Sequence, residues 1–133
     1  MGGTGKQMVS GSGGGGELHV YLIGTDDAIY HNYWTGANWS GWLAMGGYAK
    51  QLALGTWGGA RHELFYAGTN DKIYHNWWTG ASWAGEHEMG GWAKYVAPAT
   101  WPNGAVELFY IGTNDNNYHN WWMGTRWSGE LQF

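Results

Sequence analysis

Gly68-Thr69-Asn70-Asp71-Lys72-Ile73-Tyr74-His75-Asn76-Trp77-Trp78-Thr79-Gly80 decides the fold, because the chain carries it three times. The first copy runs from Gly24-Thr25-Asp26-Asp27 to Trp34-Thr35-Gly36, the third from Gly112-Thr113-Asn114-Asp115 to Trp122-Met123-Gly124, and both offsets are 44 residues. The same offset carries Met45-Gly46-Gly47 onto Met89-Gly90-Gly91 and back onto Met1-Gly2-Gly3, with Lys6, Lys50 and Lys94 in register. The 133 residues are therefore three units, 1–44, 45–88 and 89–133, the last ending on Phe133 at the place of Met45 and Met89. A register this regular is also what a reconstructed or engineered fragment would show.

Within a unit the residues read as short strands. Lys94 to Trp101 is a first strand, with Pro98 placing it at an edge or an irregular point. Val106 to Ile111 is a second, Asn117 to Trp122 a third and Trp127 to Phe133 a fourth. β-Branched and aromatic residues fill these runs, while Gly, Asn, Asp and Ser punctuate them. No window has an apolar period of 3.6, so no helix is expected. Four strands in a repeat of this length make a β-propeller blade. The fold class is thus all-β, a propeller with three four-stranded blades per chain. Three blades cannot close a ring, so the ring is expected to be completed by oligomerisation, two copies making six blades as a homodimer. The first unit departs from the others at Ser12-Gly13-Gly14-Gly15-Gly16, where the second has Thr56-Trp57-Gly58-Gly59-Ala60, and reads as a real blade with a loosened loop.

Composition narrows the function. Six basic residues against ten acidic ones argue against nucleic acid as a partner. The absence of Cys excludes a disulfide scaffold and thiolate metal sites. No run is long and apolar enough for a membrane span, and no signal-peptide pattern follows Met1; the reading leaves localisation open between the cytoplasm and release without a signal. Twelve Trp and nine Tyr beside only 16 charged residues are more rings than one small core requires.

The segment from Gly68 to Gly85, with Trp77-Trp78, Gly80 and Trp83-Ala84-Gly85, resembles the repeats of bacterial propeller lectins of the Photorhabdus type, and the glycine pairs Gly46-Gly47 and Gly90-Gly91 match the end of those repeats. The resemblance covers all three units, the first from about His19 onward. It implies closed propellers that bind fucose and related sugars in grooves between blades. More distantly, the Trp-Trp-x-Gly-x-x-Trp pattern is similar to the Aleuria-type fucose lectins. Their site uses an Arg and a Glu on the sugar hydroxyls. Here Arg61 and Arg126 fall at non-equivalent positions and His stands where that Glu would be, which makes the Photorhabdus type the nearer relative.

Sugars have an apolar C–H face and a polar rim, so a groove for them needs a flat ring beside a few donors and acceptors. The expected carbohydrate-binding residues are His31, Trp39, Trp57, His75, Trp83, Trp101, His119 and Trp127. Each groove is expected to combine His and loop Trp of one blade with the first-strand Trp of the next: His31 and Trp39 with Trp57, then His75 and Trp83 with Trp101. His119 and Trp127 would face Gly13 across the subunit junction, leaving that groove short of a ring. Trp77 and Trp121, in mid-strand, are expected to fill the interior. Equivalent His on successive blades cannot converge on one ion, so neither a metal nor another cofactor is expected. No carboxylate sits at sequence spacing beside these His, and no glycosidase-type pair is identifiable, so the chain is not expected to be an enzyme. Asn70-Asp71 and its counterparts are turn formers, and Glu86-His87-Glu88 reads as solvated surface. The expected function is a multivalent lectin with glycans as partners; the alternative is a non-catalytic structural or protein-interaction propeller with interior Trp.

Overall fold

A computed structural model describes residues 2–13, 15–57, 61–79 and 81–132. Ten strands follow in chain order: β1 (Gly5–Ser12), β2 (Leu18–Gly24), β3 (Ala28–Trp34), β4 (Leu43–Trp57), β5 (Arg61–Gly68), β6 (Lys72–Trp77), β7 (His87–Thr100), β8 (Val106–Gly112), β9 (Asn117–Trp121) and β10 (Leu131–Gln132). Every pair of sequential neighbours is antiparallel, and the described residues contain no helix.

The long strands β4 and β7 serve two units each. Residues 43–48 of β4 pair with β3, and from Ala49 onward the same strand pairs with β5. β7 repeats this between β6 and β8. The chain thus passes from the outer strand of one four-stranded unit into the inner strand of the next without a loop. Gly46 and Gly47 make the bend with φ of 80° and 81°, a region where a side chain is strained. The expected first strand at Lys94 therefore begins earlier, at His87. The expected fourth strand shrinks to a bridge between Trp122 and Trp127 plus β10, with Phe133 outside the described residues. Pro98 lies in the part of β7 that pairs only with β8, so its missing N–H breaks no ladder. In the first unit β1 is a full strand up to Ser12, and Gly13 closes back on Glu17 through a main-chain hydrogen bond; Gly14 lies outside the described residues.

The turns are built alike. Asp27, Asp71 and Asp115 take the left-handed conformation, and the preceding Asp26, Asn70 or Asn114 accepts the amide N–H two residues on. Lys6, Lys50 and Lys94 pair with Asp27, Asp71 and Asp115. The units stack face to face, so β5 of the middle unit is buried on both sides, and two apolar clusters mark the two internal interfaces. Tyr21, Ile23, Ile29, Leu52 and Tyr66 form the first, and Phe65, Ile73, Val96, Val106 and Leu108 the second. A side-chain clamp spans each interface. Gln7 bonds both main-chain groups of Leu52, and Gln51 does the same to Val96.

Candidate sugar-binding grooves

Between the second and third units lies an open groove of about 400 Å³. Its floor is a carboxylate. Glu63, 2 % exposed on β5, accepts Nδ1–H of His75 at 2.6 Å with one oxygen and the indole N–H of Trp57 with the other. Both oxygens are thereby engaged in holding rings, and the tautomer of His75 is set with Nε2 left for a ligand. Trp77 tilts against His75 at 5.0 Å. The opposite wall comes from the third unit: Trp127 meets His75 edge-on at 5.9 Å, and Trp122 meets Trp57 edge-on at 5.9 Å.

The hairpin that carries this wall is closed by its own hydrogen bonds. Trp122 and Trp127 form an antiparallel bridge, and Met123 N–H reaches the carbonyl of Arg126 at 2.7 Å. Behind them Asn120, buried, accepts from the Ser128 hydroxyl and from the amide of Gly129. Asn32 and Asn76 hold Gly41 and Gly85 in the same way. The Asn of Tyr-His-Asn therefore fixes the loop that carries the Trp, a role that its residue type in a mid-strand position allows.

Four expectations change here. The loop Trp that faces a given His belongs to the next unit: Trp83 lies 5.8 Å from His31, and Trp127 lies over His75. Trp39 instead packs on Trp34, on the face of the first unit that looks away from the second. The first-strand Trp belongs to the same unit as its His, since Trp57 shares Glu63 with His75, and Trp101 shares Glu107 with His119. Gly13 consequently lines the groove between the first and second units, with His31 and Trp83, and does not face His119. The reason is geometric: the sense in which one blade leans over its neighbour is a tertiary relation that leaves no period in the chain.

The carboxylates were missed as His partners. Glu63 pairs opposite Trp77 and Phe65 opposite His75, so Glu63 and His75 are diagonal neighbours across one hairpin, as are Glu107 and His119. Trp77 is half-buried and lines the groove, contrary to an interior role. Glu86 is exposed but is more than solvated surface, since it accepts the Tyr66 hydroxyl at 2.5 Å, and the His87 ring covers Trp77 at 4.7 Å.

The third unit repeats the floor. Trp101 donates to Glu107 at 2.8 Å, and Glu107 lies 2.8 Å from Nδ1 of His119. Among the described residues no counterpart of Trp122 and Trp127 stands opposite it, and Trp101 is 56 % exposed. Among the described residues no group of His, Asp or Glu is arranged to hold a metal ion.

No protein-family profile matches this sequence, and no curated protein matches it. Solved structures do. A fucose lectin from Kordia zhangzhouensis, seen with methyl-fucoside, superposes with a TM-score of 0.67 at 15 % identity over 96 % of this chain and 97 % of that one. The fucose-specific lectin from Aleuria aurantia superposes with a TM-score of 0.68 at 18 % identity over 94 % of this chain but only 43 % of its own. A further Aleuria structure, described as a six-bladed β-propeller with a novel mode of fucose recognition, gives 0.67 at 16 % identity. This chain spans less than half of the Aleuria lectin and nearly all of the Kordia one. It has the all-β architecture of these fucose lectins, as part of a propeller.

Proposed function

We propose that the chain is a multivalent, non-catalytic lectin for fucose or related monosaccharide units on glycans, bound in the grooves between blades. One observation carries this. Glu63 holds an indole and an imidazole beside an open groove that the next unit walls with two more indoles, each meeting one of those rings edge-on. Such a site offers a sugar flat apolar faces and one fixed ring nitrogen. Both oxygens of the carboxylate are already occupied, so it works as a brace. The alternative propeller with interior Trp fits less well, because Trp77, Trp122 and Trp127 are only half-buried around open space.

Two copies joined head to tail complete the ring in this proposal. The internal interfaces bury Leu52 and Val96, and His62 and Val106; their counterparts in the first unit, Met8 and Leu18, are 55 % and 53 % exposed. On the other terminal face Tyr95 and Ile111 stand exposed where Gln51 and Ala67 are buried. A second copy would cover both faces and bring Trp34 and Trp39 over His119, finishing the third groove. Titration with methyl α-L-fucoside, followed by Trp fluorescence, tests the function. Binding with a Kd on the order of micromolar to millimolar is expected. No response at about 10 mM, with no glycoprotein bound, would leave the interaction-scaffold reading in its place.

A further inference from the structure

The groove between the first and second units has the same frame as its neighbour and a different chemistry. At the position of the buried Glu63 stands His19, and at that of Trp57 stands Gly13. The cavity grows to about 670 Å³. The space of the missing ring is taken by an imidazole and a carboxylate. A Cβ added to Gly13 would lie 2.6 Å from Nε2 of His19 and 2.7 Å from Oε2 of Glu17. Nδ1 of His19 is 3.0 Å from Nε2 of His31, and the two rings stack. His62 enters from the second unit, its Nε2–H given to the carbonyl of Ser12 and its Nδ1 accepting the Tyr21 hydroxyl at 2.8 Å.

The groove has thus exchanged a buried carboxylate for a cluster of three histidines, with Arg61 at the rim. Glu17 is the one acid there, half exposed, and it reaches His19 at 3.4 Å. That contact puts a carboxylate at the open end of the cluster. We propose that this groove is a second class of site, for a carboxylated sugar of the uronate or sialate kind. Its carboxylate replaces Glu17 on His19, while its ring lies against Trp83. The assignment rests on the lectin reading of the neighbouring groove.

Proton uptake follows from the same geometry. Burial, then the neighbouring His19 and His62, lower the His31 pKa to about 4, and burial lowers that of His62. The other polar groups around them are Tyr21 of β2, Tyr33 of β3 and Arg61 of β5, with Glu17 ahead of β2. The Trp78–Trp83 wall adds no charge. A bound anion favours the imidazolium, so binding takes up a proton and strengthens as the pH falls.

The test is calorimetric titration of the whole protein with methyl β-D-glucuronide, a methyl α-sialoside and methyl α-L-fucoside, at about pH 5.5 and about pH 7.5, with histidine C–H resonances followed by NMR. One or both acid sugars should bind about tenfold more tightly at the lower pH and shift the His19 and His31 resonances. His19→Glu, which restores the residue of the other two units, should abolish acid-sugar binding and spare the fucoside. Glu17→Gln should strengthen it about threefold, by removing the competing carboxylate. Fucoside binding with no acid-sugar binding at about 10 mM overturns this inference and leaves the lectin reading standing. So does acid-sugar binding that survives His19→Glu. Acid-sugar binding without fucoside binding supports this groove and overturns the fucose assignment of its neighbour, and no binding of either overturns both.

Discussion

Gln51 holds Val96 by both of its main-chain groups, donating to the carbonyl at 3.1 Å and accepting the N–H at 2.8 Å. The two residues lie on inner strands of adjacent units, and both are buried. An amide side chain is here standing in for a strand neighbour. It satisfies the inward edge of β7, which no further strand covers.

Replacing Gln51 by Ala should therefore cost more than its lost packing. It strands a buried N–H and a buried carbonyl, at about 2–4 kcal/mol together. The urea midpoint should fall by about 1–2 M. Gln7→Ala, at the more exposed first interface, should cost less. Equal and negligible shifts for both would mean that water replaces the clamp freely.

The clamp is missing at the ends. Tyr95 occupies the place of Gln7 and Gln51, and Met8 that of Leu52 and Val96. The proposed junction therefore relies on apolar contact, and a charge at its centre should break it. Met8→Asp should convert the dimer to a monomer in sedimentation velocity while the β-rich circular dichroism stays. A wild-type protein that is monomeric at micromolar concentration removes the ring proposal altogether.

Glu63 braces two rings at once, so its substitutions should separate charge from shape. Glu63→Leu leaves both ring N–H groups without an acceptor and should weaken fucoside binding by more than about thirtyfold. Glu63→Gln keeps an acceptor for Trp57 and should lose only about three- to tenfold. If Glu63→Leu binds normally, the groove residues are not held by this carboxylate.

Much of this was legible in the chain and some was not. The 44-residue offset divides the chain into repeats, and β-branched and aromatic runs located β8 and β9 closely. His31, His75, Trp83 and Trp127, singled out by type and position, line the two grooves. The Glu63–His75 contact was also readable, since the Asn70-Asp71 turn sets a register that makes the two diagonal. Which loop Trp covers which His was not readable. It depends on how one sheet leans over the next, and the repeat is identical under either choice. The continuous passage through β4 was hidden too, because Gly46-Gly47 reads as a loop although its glycines only bend the strand.

Acid should destabilise the first unit through His31. Its folded pKa, about 4, lies below the ordinary value of 6.5, so the unfolded chain binds the extra proton first. The stabilisation is complete above about pH 6.5 and is lost progressively as the pH falls towards 4. With the groove partly open to solvent, the loss is about 2 kcal/mol, and His62, lowered by burial, adds to it in the same direction. His31→Gln should flatten the dependence of the urea midpoint on pH across this window. An unchanged slope would mean that His31 is as easily protonated in the fold as out of it.

The grooves should be unequal, and the inequality follows from Gly13. The second groove has a complete set of rings around Glu63, and the junction groove would have the same set around Glu107 once a second copy brings Trp34 and Trp39. The first groove has neither the carboxylate nor the first-strand indole, and its wider cavity gives a small neutral sugar less to touch. Losing one aromatic wall costs about 1–3 kcal/mol, enough to empty a weak site. In the proposed dimer, fucoside should occupy the two grooves over Glu63 and the two over Glu107, and leave the two lined by His19 vacant. Crystals soaked in methyl α-L-fucoside decide this directly. Full occupancy beside His19, or fucoside bound away from Trp57 and Trp101, would show that these indoles do not make the site.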